Sequence, residues 1–71
     1  MLNEYITAAI STAKFEVIED KEPYYGEIPS LPGVWATGNS LEECKKVLLS
    51  VLEEWIGLRI RFGKNIPPIH G

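Results

Sequence analysis

Cysteine and histidine are almost missing from this chain, and each scarcity excludes a class of chemistry. A single cysteine, Cys44, in 71 residues permits no internal disulfide. One Cys with one His cannot supply the four-ligand zinc site of a single chain. Basic charge is also short: 7 Lys and Arg stand against 10 Asp and Glu, for a formal net charge of −3. The electrostatic footprint of a nucleic-acid binder is therefore absent, and direct nucleic-acid contact is not expected. No window approaches the ~18 apolar residues of a membrane span, and Met1 to Glu4 lacks the basic start and apolar core of a signal peptide. The expectation is a soluble cytoplasmic protein without a cofactor. A phosphate-cradling glycine loop is missing too, because Gly26, Gly33 and Gly38 fall in or at the ends of strand-like segments.

What is present is one small domain, spanning residues 1–71. A chain of this size buries only about 60% of the surface that its unfolded form exposes, so its stability alone is marginal. Without disulfide or metal, oligomerisation is the remaining common route to stability. A homo-oligomer, dimer or tetramer, is expected.

Leu2, Tyr5, Ile6, Ala9, Ile10 and Ala13 recur at helical spacing, predicting a short amphipathic helix over residues 1–13. At Lys14 the period changes. Phe15 and Val17 alternate with Lys14 and Glu16, and Ile18 follows, as in a strand. Asp20-Lys21-Glu22-Pro23 is a polar turn. Tyr24 to Ile28 reads as a second strand, with Tyr24, Gly26 and Ile28 on one face and Tyr25 and Glu27 on the other. Gly26 in mid-strand costs stability unless something approaches the backbone closely. Pro32-Gly33 suits the centre of a type II turn, and Val34 to Thr37 is a third strand.

Ser40-Leu41-Glu42-Glu43 is a capping box at a helix start. The helix carries an apolar seam at Leu41, Cys44, Leu48, Val51, Trp55, Leu58 and Phe62. Gly63 fits the position after its end, and Pro67-Pro68 forbids continuation. Asn65 to Ile69 is a candidate fourth strand, restricted to a sheet edge by its prolines. The order is α-β-β-β-α-β: an α+β, two-layer domain with an antiparallel sheet of three to four strands, packed by one long helix and a short N-terminal helix.

Few residues could carry catalysis. Glu16, Glu19, Asp20 and Glu27 lie in or near strands, but a metal-dependent nuclease needs several carboxylates converging on two ions, and these read as solvent-face side chains. His70 is penultimate, where a held catalytic geometry is not provided. Cys44 lies on the helix seam and reads as a small buried hydrophobe. An enzyme is not expected.

Two surfaces suggest binding instead. With Leu48 at the centre of the buried arc, Leu49, Ile56 and Ile60 fall roughly 80–120° to its flank. Either the N-terminal helix covers this second row or a subunit or partner does. Arg59 falls inside the apolar arc and must pair or snorkel. Tyr25, Glu27, Trp35 and Thr37 share the sheet face away from the helices if Val34 and Ala36 point inward. Exposed Tyr and Trp together make a partner-binding patch. A one-residue change of register would instead bury Trp35.

The run Ile28-Pro29-Ser30-Leu31-Pro32-Gly33, then Ala36-Thr37-Gly38, then Ser40-Leu41-Glu42-Glu43, resembles the HicB-like antitoxin domain. The resemblance extends from Lys14 to about Pro68. It implies a partly ribonuclease H-like fold without nuclease carboxylates. It further implies a non-enzymatic module that neutralises a small basic RNA-cleaving toxin of the HicA type by occluding it, commonly as a dimer or tetramer. It transfers no toxin-contact residue by position. Members of the family usually add a C-terminal DNA-binding segment, which is not seen before Gly71, and the N-terminal helix is an addition to the shorter members. The competing expectation is an orphan oligomer of the same fold with no toxin.

Overall fold

The computed structural model describes residues 2–66, with side chains from Glu4 onward. Helix α1 (Leu2–Ser11) leads into strands β1 (Lys14–Val17), β2 (Tyr24–Glu27) and β3 (Trp35–Gly38), and helix α2 (Leu41–Arg61) follows. The strands form an antiparallel meander in the order β1-β2-β3, with Gly26 opposite both Phe15 and Ala36. Both helices lie on one side, so the molecule is a two-layer α+β structure. Asn65 and Ile66 are not in a strand. The rest of the expected fourth strand, residues 67–69, lies outside the described residues.

Local chemistry accounts for the joints. The Ile18 N–H donates to the Pro23 carbonyl at 2.7 Å and closes the first hairpin. In the second, the Val34 N–H donates to the Leu31 carbonyl at 3.1 Å around Pro32-Gly33, where Gly33 has φ +90°. That is the positive φ which a type II turn demands at its third residue. The Ile28 N–H donates to the Val34 carbonyl at 3.1 Å, extending the ladder into the loop. At the start of α2, Ser40 Oγ accepts from the Glu43 N–H at 3.0 Å, and Glu43 Oε2 accepts from the Asn39 N–H at 3.0 Å. The reciprocal cap reaches one residue further back than a standard box. At the other end the Lys64 N–H donates to the Arg59 carbonyl and the Gly63 N–H to the Ile60 carbonyl, with Gly63 at φ +66°. This is a Schellman closure.

The core is Ala9 of α1, Ile28, Leu31, Val34 and Ala36 of the sheet and its loop, and Leu48, Leu52 and Ile56 of α2. Burying a Leu side chain such as Leu48 is worth about 1.5–3 kcal/mol. Helix α2 lies mainly over β3 and β2, and α1 packs beside it.

The buried stripe of α2 departs from the expected seam. It runs Cys44, Leu48, Leu52, Ile56, in steps of four residues. Each step advances about 40° around a helix of 3.6 residues per turn, so the buried direction rotates as α2 crosses the sheet. Two corrections follow. Ile56, expected on the partner-binding flank, is 4% exposed and part of the core. Leu41, Leu58 and Phe62, expected on the seam, are exposed. Leu49 and Ile60 are exposed on the flank.

Two glycines explain how closely the layers meet. A Cβ on Gly38 would sit 2.6 Å from the Cys44 backbone nitrogen and 2.9 Å from its Cα. A Cβ on Gly26 would meet the Phe15 ring at 2.5 Å and Cys44 Sγ at 3.3 Å. The close approach expected at Gly26 thus comes first from the cross-strand aromatic and only second from the helix.

Candidate functional site

Strand alternation and register place six side chains in two rows on the sheet face away from the helices. Lys14, Glu27 and Trp35 pair across the three strands, and so do Glu16, Tyr25 and Thr37. Val34 and Ala36 point into the core, so Trp35 points out and remains 53% exposed. This excludes the register that would bury it.

The rows interlock. Tyr25 and Trp35 are diagonal neighbours with ring centroids 6.1 Å apart and planes inclined by 25°, an offset stack of the kind aromatic pairs prefer. The Tyr25 hydroxyl donates to Glu27 Oε2 at 3.3 Å. The Thr37 hydroxyl donates to Glu22 Oε1 at 2.9 Å, tying the turn before β2 to the rim of the face. Burial, then the Glu27 carboxylate by charge and by hydrogen bond, then Glu16, push the Tyr25 phenol above its ordinary pKa. Tyr25 therefore stays neutral, and its ring is held by the Trp35 stack and by its hydroxyl's bond to Glu27. Three carboxylates, Glu16, Glu22 and Glu27, stand around this face against one ammonium, Lys14.

The other candidate groups are occupied structurally. The Cys44 thiol donates to the Ala36 carbonyl at 3.5 Å, and burial, with the charge of Glu22 adding, pushes its pKa up. A reactive cysteine needs the opposite shift. Glu16 and Glu27 flank Tyr25 rather than converge, and among the described residues no three His, Cys, Asp or Glu side chains gather as a metal would require. His70 lies outside the described residues. Arg59, half-buried, is satisfied by stacking its guanidinium 4.6 Å over the Trp55 ring and donating to the Asn65 carbonyl at 3.5 Å.

Of the six residues expected to bind a partner, the structure brings Tyr25, Glu27 and Trp35 together on this face. Leu49 and Ile60 are on α2, in the other layer, and Ile56 is core. Sequence reasoning missed Lys14 and Glu16 as members of the face. Their alternation with Phe15 and Val17 was visible, but only the pairing register sets them beside Glu27 and Tyr25.

The UPF0150-like family matches residues 4–67. The chain belongs to that family. A UPF0150 protein of Thermotoga maritima is 46% identical over 44 residues, which is 62% of this chain and 59% of that protein's length. The chain therefore spans less than two thirds of this curated UPF0150 relative. The crystal structure of TTHA0281 from Thermus thermophilus superposes with a TM-score of 0.93 at 50% identity, covering 96% of this chain and 84% of that one. The α+β architecture is thus shared with an experimentally solved protein. Among the described residues, no helix is long and apolar enough to cross a membrane.

Proposed function

We propose that this UPF0150-like chain is a non-enzymatic binding module that docks a small basic protein on its open sheet face and neutralises it by occlusion. The HicB-like resemblance of residues 28–43 makes an RNA-cleaving toxin of the HicA type the proposed partner, and a cytoplasmic site of action goes with it. One observation carries the reading. The stacked Tyr25–Trp35 pair, half-buried at Tyr25 and exposed at Trp35, is braced from below by the sheet and edged by Glu16 and Glu27. An aromatic face flanked by carboxylates is a seat for an arginine of a basic partner, combining cation–π attraction with charge-assisted hydrogen bonds. The rigidity of the seat matters, because side chains already held in place lose little entropy on binding.

The test is a pull-down of the tagged chain from native extract, with the double variant Tyr25→Ala/Trp35→Ala in parallel. The expected result is one small basic protein recovered at comparable stoichiometry by the wild type and lost by the variant. Recovery of the same protein by both would remove the sheet face from the reading. Recovery of the bait alone would favour the orphan oligomer.

A further inference from the structure

Nothing among the described residues explains the glycine at position 57. It sits inside a 21-residue helix, where it costs helix stability relative to alanine. It is exposed, and a Cβ built on it would meet nothing within 4 Å. Among the described residues, no intrachain contact uses the space. The glycine instead floors a shallow groove lined by Glu54, Gly57, Leu58 and Arg61, on the side of α2 turned away from Leu48 and the sheet. Leu58 stands beside it, 52% exposed. Among the described residues, neither Glu54 nor Arg61 has a hydrogen-bond or ion-pair partner.

The order of these four residues is self-complementary. A two-fold axis crossing α2 between Gly57 and Leu58 sets a second copy of the helix antiparallel to the first. Glu54 then faces Arg61 of the second copy, and Arg61 faces the second copy's Glu54. Leu58 of each copy falls into the space above the other's Gly57. A two-fold contact requires that if one residue meets another, the reverse meeting also occurs. A missing side chain at the crossing point permits the shorter end of the usual interaxial distance of about 8–10 Å.

We propose that the Glu54–Gly57–Leu58–Arg61 groove is the contact between two copies of this chain, with their α2 helices crossing antiparallel at Gly57. The dimer buries an apolar residue that the monomer leaves in water. It leaves the Tyr25–Trp35 face free, because the two surfaces lie on opposite sides of the molecule. The inference does not depend on what that face binds.

Sedimentation equilibrium of the full chain, from about 1 μM to about 1 mM, covers the range in which such an interface associates. The wild type is expected to reach the dimer mass within it. Leu58→Asp should weaken the dimer about a hundredfold, since it puts two carboxylates into the centre of the contact. Glu54→Arg and Arg61→Glu should each weaken it about tenfold, because symmetry counts each like-charge encounter twice. The double swap Glu54→Arg/Arg61→Glu should restore it. Gly57→Leu separates the contact from the fold: it should weaken the dimer while raising the Tm of the monomer, read by circular dichroism at low concentration. A wild type that is monomeric throughout the range, a double swap that fails to restore the dimer mass, or a Leu58→Asp variant that still dimerises would each overturn the proposal.

Discussion

On the helix side of β2, β3 and the loop between them stand Gly26, Ile28, Val34, Ala36 and Gly38, all buried; facing the other way on the same two strands stand Tyr25, Glu27, Trp35 and Thr37, half-buried or exposed. Gly26, Ala36 and Gly38 are small where α2 crosses because a helix has to come within touching distance of the strands there, while Phe15 and Tyr24, on the same face, are half-buried. Large residues dominate the open face, where no described element competes for the space and where aromatic stacking and hydrogen bonds hold each side chain to its neighbour. Substitutions on the covered face should therefore act on stability, and those on the open face on binding.

The largest effect is expected where α2 packs onto the covered face, at Leu48. Leu48→Ala should destabilise the chain by about 2–5 kcal/mol, from lost burial and the cavity left behind. This would be read as a fall in the denaturation midpoint at unchanged m-value. In a chain this small that loss approaches the whole stability, so Leu48→Met, which conserves volume, is the control and should cost less than about 1.5 kcal/mol.

Next comes a pair of glycines. Gly38→Ala should cost about 1–3 kcal/mol, because its new methyl meets the Cys44 main chain, which is anchored in the first turns of α2 and cannot move aside. Gly26→Ala should cost less, because its nearest obstacle is the edge of the half-buried Phe15 ring, which can turn toward solvent. Equal losses at the two positions would show that the ring is as fixed as the helix.

The open face should respond in the opposite sense. Trp35→Ala should change stability by only about 0.5–1.5 kcal/mol, the worth of an aromatic pair. Affinity for the proposed basic partner should nevertheless fall by about 2 kcal/mol or more, as at an interface hot spot. Calorimetric titration against the captured partner and denaturation of the free chain measure the two together. A stability loss with intact affinity would invert the comparison.

The smallest effect is a pH dependence. The Tyr25 phenol is held above its ordinary value of 10.0, so the folded chain binds that proton more tightly than the unfolded chain does. Its contribution to stability is full below the unfolded value and is lost as pH rises through the folded one. Denaturation followed above pH 10 should show this decline in the wild type, and Tyr25→Phe should remove that part of it.

Much of this comparison was legible in the chain itself. The alternation Tyr25, Glu27 against Gly26, Ile28 separated the two faces of β2, and Pro32-Gly33 with Ser40 and Glu43 marked the joints. Which face of β3 was which was not legible, because Trp35 and Ala36 could exchange sides by one residue. The structure decides it through the pairing of Gly26 with Ala36 and of Glu27 with Trp35. A fixed helical wheel gives α2 a single apolar arc. Such a wheel sets Leu58 and Phe62 inward and Ile56 on the flank, whereas the buried direction of α2 turns along its length. At about 1.5 Å per residue α2 is roughly 31 Å long, while a four-residue strand is only about 13 Å. The last turns overhang the sheet, leaving Leu58, Ile60 and Phe62 uncovered whatever the wheel suggests.

The sequence by itself determined the order α-β-β-β-α of the described elements, the turns, the caps at both ends of α2 and the inside and outside of β2. Each depends on residues within four or five positions of one another, and local hydrogen bonds and backbone preferences decide them. The tertiary structure alone decided that Gly38 lies against Cys44, that Ile56 is core, that Tyr25 stacks on Trp35 and that Gly57 is left open. Those depend on the angle and separation at which a helix crosses a sheet, which are set by packing between residues distant in the chain.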